Sequence, residues 1–371
     1  MREKIMWLVI FAVSILSGVA GLIYLAHKTG RSGLFDRIES RALSKLAAYA
    51  AVALIVALLV FVFDVTNTIV IVIHVAVFLL AGDLVRVIAS RVTDAGLSSR
   101  IFDLCAVSIC FIYLLTGWYL MHGLWESDYT LLTGKHTGEL RIAQIADSHI
   151  GCGFSGEGFA KRLAKIQETQ PDVLVITGDF VDDDTMKQDM LDACAALGDF
   201  SAKYGIFFCF GNHDRGYYSK ERRGYGGEEL KAELERNGVT VLEDESILID
   251  DRFYIIGRED AGYGDSKRKA MSELTEGLDN DKYMIVLDHQ PVDYDAEEAA
   301  GVDLVLSGHT HGGQLFPLEY IQPLVSSNNA VRGLTHRGNT DFIVTDGISD
   351  WAIKFKTGCR SEYNLITVKE Q

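Results

Sequence analysis

Histidine and aspartate residues occur in short pairs with the spacing of metal-binding loops. His309 and His311 are separated by one residue and lie between glycines, and Asp147 and His149 have the same spacing. In an extended backbone, side chains two residues apart point to the same side, so each pair can direct two ligand atoms at one point. Core histidines are the alternative explanation for the first pair, but its glycine neighbours and the second pair favour a metal site.

Further candidate ligands follow three other apolar segments of the chain. These residues are Asp179, Asn212, His213, Asp214 and His289. Imidazole, carboxylate and amide groups suit divalent ions such as Mn, Fe and Zn. The six cysteines are scattered without Cys-x-x-Cys spacing, so neither a zinc-thiolate site nor a disulfide framework is indicated.

Each group of candidate ligands lies at the end of a predicted β-strand. The strands are predicted at residues 140–146, 172–177, 206–210, 283–287 and 302–306. Helical spacing of apolar residues separates some of them, at residues 159–169, 186–200 and 228–237, and short strands follow at 239–242, 246–249 and 252–256. This order predicts an α/β fold with a mixed two-sheet core and helices outside. In such folds, ligands collect at the carboxyl ends of strands.

Four apolar segments fill the first third of the chain. They cover residues 5–26, 46–63, 66–81 and 101–121. Since they carry almost no charge and lack an amphipathic stripe, transmembrane helices are favoured over buried helices of a soluble domain. A signal peptide is the alternative for the first segment, but its length and the three later spans favour an uncleaved anchor.

Charge separates this apolar part from an acidic remainder. Residues 1–125 contain 10 Lys and Arg against 7 Asp and Glu, whereas the whole chain has a net charge of −16, which leaves −19 for the rest. An acidic domain argues against nucleic acid as a partner, because nucleic-acid-binding surfaces are basic. We predict a membrane domain at residues 1–125, a polar linker at 126–138 and an α/β domain at 139–371.

Charges between the apolar segments predict the orientation in the membrane. Eight Lys and Arg lie in the first and third loops, and none lies in the second. Short positive loops remain in the cytoplasm, which places both chain ends on the opposite side; only Arg2 and Lys4 oppose this. The prediction is a multi-pass protein of the cell membrane with an extracytoplasmic α/β domain.

The candidate ligands together resemble the motifs of calcineurin-like metallophosphoesterases. Asp-x-His at residues 147–149, Gly-Asp-x-x-Asp at 178–182, Gly-Asn-His-Asp at 211–214, an isolated His289 and Gly-His-x-His at 308–311 occur in that order. Residues 307–314 resemble the bacterial membrane-associated subgroup. The resemblance covers roughly residues 140–368. It implies a calcineurin-like two-sheet α/β/β/α sandwich, which the four predicted transmembrane helices would precede.

The same resemblance implies two divalent metal ions that share Asp179. Asp147, His149, Asp179 and His311 would bind one ion, and Asp179, Asn212, His289 and His309 the other. His213 would stabilise the transition state or protonate the leaving oxygen, with Asp214 orienting it. For Asp214, a turn residue or surface charge is the alternative. The ligand set does not distinguish Mn, Fe and Zn.

The activity implied by the resemblance is hydrolysis of a phosphate ester or pyrophosphate by metal-activated hydroxide. Membrane attachment favours a lipid or cell-envelope phosphoester as substrate. A nucleotide or cyclic-nucleotide phosphodiesterase is the alternative enzyme. A non-catalytic membrane sensor is a different class, which is disfavoured because no ligand of the pattern is missing. After Trp351, Ala352, Ile353 and Lys354 stand where the subgroup has Pro and Arg. The sequence leaves the oligomeric state open.

Overall fold

A computed structural model describes residues 2–32, 35, 37–93, 97–217, 220–262 and 268–371 of the chain. The chain divides into two compact units, Met1–Gly117 and Trp118–Gln371. The sequence predicts a membrane domain, a linker and an α/β domain. The boundaries between these three parts remain predictions.

The first unit is built from long apolar helices. Their bounds are α1 Arg2–Arg31, α2 Arg41–Phe63, α3 Val65–Thr93 and α4 Ser99–His122, the last of which ends in the second unit. Four helices in the described residues are long and apolar enough to cross a membrane by length and composition. Apolar side chains cover their outer faces, since Leu54 is 73% and Phe61 88% exposed.

The third predicted span was too short. Helix α3 continues well past residue 81, through Gly82, Asp83 and Arg86. Polar residues end an apolar segment but they do not end a helix, so a helix can extend beyond its apolar part. Asp83 and Asp103 both pair with Lys28, at 2.6 and 2.8 Å, which compensates these charges within the unit.

The second unit contains two sheets. In chain order the strands are β1 Trp125–Thr133, β2 Leu140–Ile145, β3 Val173–Thr177, β4 Ile206–Cys209, β5 Val239–Val241, β6 Glu245–Ile249, β7 Phe253–Gly257, β8 Tyr283–Leu287, β9 Leu304–Ser307, β10 Gly333–Arg337, β11 Thr340–Val344 and β12 Glu362–Glu370. The described residues form one six-stranded sheet in the order β1-β12-β2-β3-β4-β5 and a second in the order β10-β11-β9-β8-β7-β6. Strands β2 to β5 are parallel, as are β7, β8 and β9, so their carboxyl ends lie at common edges.

The helices of the second unit have the bounds α5 Gly156–Gln167, α6 Lys187–Gly198, α7 Lys220–Arg223, α8 Gly227–Arg236, α9 Met271–Leu274, α10 Tyr294–Ala299 and α11 Leu318–Val325. Helices α5, α6, α8, α9 and α10 pack on the outer faces of the two sheets, and two further helices, α7 and α11, belong to the same unit. One buried cluster joins α5, α6 and α8 to the first sheet, a second lies between the sheets, and a third joins α9 and α10 to the second sheet. The predicted two-sheet α/β/β/α fold is confirmed. Because both faces of β3, β4 and β8 are buried, their sequences are almost continuous apolar runs.

The predicted linker is largely a strand. Residues 126–138 were predicted to be a polar connection, but β1 occupies Trp125–Thr133 and pairs in parallel with β12. As an edge strand, β1 exposes alternate residues to solvent, which explains its polar composition. The short strands predicted at 246–249 and 252–256 correspond to β6 and β7, which pair antiparallel on either side of Asp250 and Asp251.

Candidate metal centre

The ends of β2 and β9 bring together one group of possible ligands. Asp147, His149 and His311 each offer one ligand atom, and these atoms all lie within 4.8 Å of one another. All three side chains are buried. Asp147 and His149 form one of the predicted pairs, and His311 belongs to the other, so residues far apart in the sequence meet where the two sheets face each other.

A second group comes from the ends of β3, β8 and β9. Asp179, His289 and His309 satisfy the same 4.8 Å criterion. The Oδ2 atom of Asp179 lies 3.2 Å from Nε2 of His289 and 3.6 Å from Nε2 of His149. Asp179 therefore faces members of both groups, which is the position that a shared ligand requires.

Asn212 lies next to the second group. Its Oδ1 atom is 3.1 Å from Nε2 of His289, and its Nδ2 donates a hydrogen bond to the Tyr217 hydroxyl at 2.8 Å. The second contact fixes which way the amide points. The side chain is only 6% exposed, so its oxygen is directed into the site and not at solvent.

His213 lies beside both groups without belonging to either. Its ring centroid is 5.1 Å from that of His149, 5.1 Å from that of Tyr217 and 5.3 Å from that of Trp351. Its Nδ1 atom has no hydrogen-bond partner among the described residues. The ring is therefore held by packing, and its buried Nδ1 atom is left without a protein partner in the described part of the chain.

The predicted role of Asp214 is corrected by its contacts. In the described part of the chain, no hydrogen bond joins its carboxylate to the ring of His213. Its two oxygens accept backbone N–H hydrogen bonds of 2.7–3.1 Å from Asp179, Phe180, Val181 and Gly211. Four donors saturate the carboxylate, so Asp214 holds the loop after β3 against the loop after β4. Asp214 thus positions Asp179 through backbone contacts. This structural role is close to that of a turn residue, which was the alternative prediction.

The backbone at the candidate ligands is in the left-handed region. Asp147, His149, Asp179, His309 and His311 have φ values of 53°, 36°, 51°, 72° and 51°. A non-glycine residue pays about 1 kcal/mol or more for this conformation, although Asp and His tolerate it better than most. Strain of this kind accumulates where the surrounding fold fixes functional side chains.

Glycine allows the two central loops to approach each other. A Cβ atom on Gly178 would lie 2.6 Å from Nδ1 of His289, and one on Gly211 would lie 2.3 Å from Oδ1 of Asp179. Either contact is closer than real Cβ atoms come. These two positions therefore require glycine if Asp179 and His289 are to meet.

Electrostatics at the centre favour a bound cation. Burial raises the pKa of Asp147 to about 6 and that of Asp350 to about 7. Burial also acts to raise the pKa of Asp179, but positive charge on His289 and on the neighbouring histidines together outweighs it and holds that pKa well below its usual value. Nearby positive charge does not fully offset the burial of Asp147 and Asp350, so a divalent ion nearby would stabilise their ionised form.

The histidines on the last loop are in the form that binds metals. Burial, with positive charge on His289, lowers the pKa of His309 to about 3, and burial with positive charge on His149 lowers the pKa of His311 well below its usual value. Neutral imidazole is the ligand form. The buried Nε2 atom of His149 has no hydrogen-bond partner among the described residues. The donor set therefore fits two divalent ions.

Three further residues support the site, of which Asp182 is the last acid of the Gly-Asp-x-x-Asp motif. Oδ2 of Asp182 lies 3.4 Å from Nδ1 of His149, and Oδ1 of Asp350 lies 3.3 Å from Nδ1 of His311. Carboxylates in this position fix the orientation of a ligating histidine. Trp351 packs on His213. Asp182 also braces its own loop, because it accepts N–H hydrogen bonds from Asp184 and Thr185.

Two arginines in the segment after the Gly-Asn-His-Asp motif have protein partners. Arg215 pairs with Glu243 and, at 2.9 Å, with Glu259. Arg223 is 3% exposed and donates to the Asp214 carbonyl at 2.9 Å. These contacts give both side chains a structural role, so the structure does not direct them at the centre.

Comparison with known proteins gives a consistent family. The family model described as calcineurin-like phosphoesterase matches residues 140–313. An uncharacterized metallophosphoesterase of Aquifex aeolicus is 33% identical over 222 residues, which are 57% of this chain and 79% of that protein. An uncharacterized metallophosphoesterase of Campylobacter jejuni is 29% identical over 239 residues, 62% of this chain and 59% of that protein.

A membrane-associated relative is also found. A transmembrane protein with metallophosphoesterase domain from Danio rerio is 29% identical over 248 residues, which are 62% of this chain and 53% of that protein. The matched part thus spans between half and three fifths of the length of the first curated relatives. Together with the four apolar helices, this relative supports association with a membrane.

Proposed function

This chain belongs to the calcineurin-like phosphoesterase family, and on that premise we propose that it is a membrane-anchored, metal-dependent hydrolase of phosphate ester or pyrophosphate bonds. The observation that carries the proposal is the position of Asp179, whose Oδ2 atom lies within 3.6 Å of a histidine from each ligand group. Asp179 is 1% exposed, so this charge is buried between the groups and calls for cations on both sides.

We assign the ligands in two overlapping sets. Asp147, His149, Asp179 and His311 would hold one ion. Asp179, Asn212, His289 and His309 would hold the other. Two bound divalent ions would supply positive charge for the phosphate oxygens and acidify water. The chain's contribution is to fix the ligands on strand ends, to keep His309 and His311 neutral and to place Asp179 between the groups.

His213 is assigned the proton-transfer role. Burial lowers its pKa, and the charge of Asp179, which acts in the opposite direction, does not overcome this. A neutral imidazole still donates one N–H hydrogen bond, and a bound phosphate would favour its protonated form. The ring is thus suited to a hydrogen bond with the leaving oxygen and to protonating it as the bond breaks.

The membrane helices support a proposal for the substrate class. Four helices in the described residues are able to cross a membrane by length and composition, which favours a substrate at a bilayer surface. We therefore propose a lipid or cell-envelope phosphoester as the substrate. The loop charges support an extracytoplasmic catalytic domain, because the eight Lys and Arg of the first and third loops favour the cytoplasm.

Metal removal tests the proposed activity. The full chain, purified in detergent and stripped with a chelator, should lose hydrolysis of p-nitrophenyl phosphate, bis(p-nitrophenyl) phosphate and pyrophosphate. Adding back Mn, Zn or Fe should restore turnover of at least one of them and load two ions per chain. Equal turnover by the stripped chain would contradict metal dependence. Two bound ions without turnover would instead support a non-catalytic sensor.

Protease accessibility tests the proposed orientation. In intact spheroplasts, added protease should digest the region after residue 125 and spare the basic loop between α1 and α2. Cleavage should be followed with epitope tags in both places. If the region after residue 125 is protected until the membrane is permeabilised, the catalytic domain is cytoplasmic and an envelope substrate is excluded.

A further inference from the structure

Helix α11 turns apolar side chains to solvent, the reverse of a normal surface helix. None of its residues is buried, and Leu324 and Tyr320 are 82% and 65% exposed. The other exposed apolar side chains here are Phe316, Leu318, Ile321 and Val325. A helix on a soluble domain directs its apolar face to the core. A contiguous exposed apolar surface marks a site of interaction.

The charged residue of α11 points to the protein instead. The Glu319 side chain is only 18% exposed and lies 3.5 Å from Arg332. It is the one ionisable residue between positions 315 and 331 of the sequence, apart from the phenol of Tyr320. The outer face of α11 therefore presents no charge, and water is a poor environment for it.

A short hydrogen-bonded path joins this surface to the end of α4. The Ser361 hydroxyl donates to the Met121 carbonyl at 2.7 Å. Four residues earlier, the Thr357 hydroxyl accepts a hydrogen bond from the Phe316 N–H at 3.1 Å. Since an extended chain advances at most about 3.6 Å per residue, this path of four residues, two hydroxyl side chains and two hydrogen bonds places the Phe316 N–H within roughly 25 Å of the Met121 carbonyl. Helix α11 and the last turn of α4 thus belong to one region of the second unit.

The end of α4 has the features of a membrane boundary. Trp118 and Tyr119 are 42% and 62% exposed there, and such aromatic residues collect at the interface of bilayer and water. Arg162 donates to the His122 carbonyl at 2.8 Å, which fixes this turn to the catalytic domain. The residues suited to the bilayer surface are thus part of the same unit as α11.

The same region contains the rim of the metal centre. Helix α11 starts seven residues after His311, and Thr357 also donates its N–H to the Gln314 carbonyl at 2.9 Å. Trp351, at the start of the segment that leads to Thr357, packs on His213. A surface that contacted lipid through α11 would bring the candidate centre next to the headgroups.

We propose that Phe316 and α11 form a bilayer-contacting surface, with the apolar side chains inserted among the headgroups and the metal centre facing phosphates of lipids that remain in the membrane. An uncharged, aromatic-containing face on a short helix suits that environment. This inference rests on the proposed function for its substrate class, but the contact with lipid is tested without it.

Fluorescence quenching tests the contact. The full chain carrying Leu324→Trp is reconstituted in vesicles of phosphatidylcholine and phosphatidylglycerol, with or without brominated acyl chains. The parent has four tryptophans, so its emission is subtracted from that of the variant. The remaining emission, from the tryptophan at position 324, should be quenched at least twofold by the brominated lipid. Leu248→Trp is the matched control, because Leu248 is 39% exposed on β6, at the opposite edge of the second sheet from β10.

Comparison of the two positions decides whether α11 contacts lipid. Quenching at position 324 without quenching at position 248 supports the proposal. No quenching at 324, or equal quenching at both, overturns it. If the face is instead covered by a second copy, the emission added at position 324 is shielded from the brominated lipid and a Leu324→Cys variant forms a cross-linked dimer, which also overturns it.

Hydrolysis then tests the substrate class. The double variant Ile321→Glu/Leu324→Glu should hydrolyse phosphatidic acid in vesicles at least tenfold more slowly than the parent, with p-nitrophenyl phosphate turnover unchanged. Equal loss of both activities, or no loss, overturns the link between α11 and lipid substrate. If the parent hydrolyses neither of these compounds, nor bis(p-nitrophenyl) phosphate or pyrophosphate, the proposed phosphoesterase function fails. If it hydrolyses only the aryl phosphate, only the lipid substrate fails.

Discussion

Asp179→Asn is expected to lose the metal pair and to reduce turnover at least about a thousandfold. Replacing a residue that only supports a ligand costs about 10–100-fold, and a shared ligand that neutralises two cations should cost more. The amide keeps the shape of the side chain. In the parent, Oδ1 of Asp179 accepts a hydrogen bond of 2.8 Å from the backbone N–H of His213, and the amide Oδ1 can still accept it. The change therefore removes charge while the loop stays in place.

Metal content and turnover should be measured together on Asp179→Asn. Asp184→Asn is the matched control, because it removes the same charge from the same loop at a side chain that is 72% exposed and pairs with Arg222. The control should keep two ions and near-normal turnover. Two ions and near-normal turnover in Asp179→Asn itself would contradict the assignment of a shared ligand. Thermal unfolding in chelator shows whether both variants fold.

The candidate ligands could be predicted because their sequence signals are local. Each is an apolar run that ends in Asp, Asn or His, and the run is recognisable without knowing its partners. Parallel pairing then brings the carboxyl ends together, as it does for β2, β3 and β4. The sequence does not show how far apart the two groups of candidate ligands lie. That Asp179 faces both His149 and His289 depends on how two sheets pack.

The features that sequence reasoning missed depend on distant segments. Strand β1 forms only because β12, at the other end of the domain, pairs with it, and its own residues are as polar as a linker. Asp350 reaches His311 across a turn that has no recognisable spacing. Asp214 had an obvious neighbour in His213, yet backbone N–H groups of the loop after β3 are better partners for a buried carboxylate than a neutral ring.

Helix α11 was missed for a different reason. Pro317 and Pro323 flank or interrupt it, and proline lowers the expectation of a helix. Apolar spacing also cannot tell whether a face is turned to the core or to solvent. Only the three-dimensional structure shows that Leu324 is outward and Glu319 inward, which is the observation that suggests a bilayer contact.

His213→Ala should keep both ions and still lose about 10²–10⁴ in turnover, the usual contribution of proton transfer. Metal retention is expected because His213 is in neither ligand group. Its one hydrogen bond to a ligand runs from the backbone N–H to Asp179 and survives the substitution. His336→Ala is the matched control, since that side chain is 68% exposed on β10 and away from the candidate centre.

The leaving group decides whether His213 donates a proton or only packs against the centre. p-Nitrophenolate leaves without protonation, whereas the alkoxide of a simple alkyl phosphate needs a proton as the bond breaks. If His213 is the acid, His213→Ala should lose much more activity on the alkyl ester than on the p-nitrophenyl ester, with two ions still bound. Equal losses on both esters would indicate a positioning role. A loss of metal along with activity would indicate that His213 is a ligand. A residue that only packs against Tyr217 and Trp351 should leave metal binding intact.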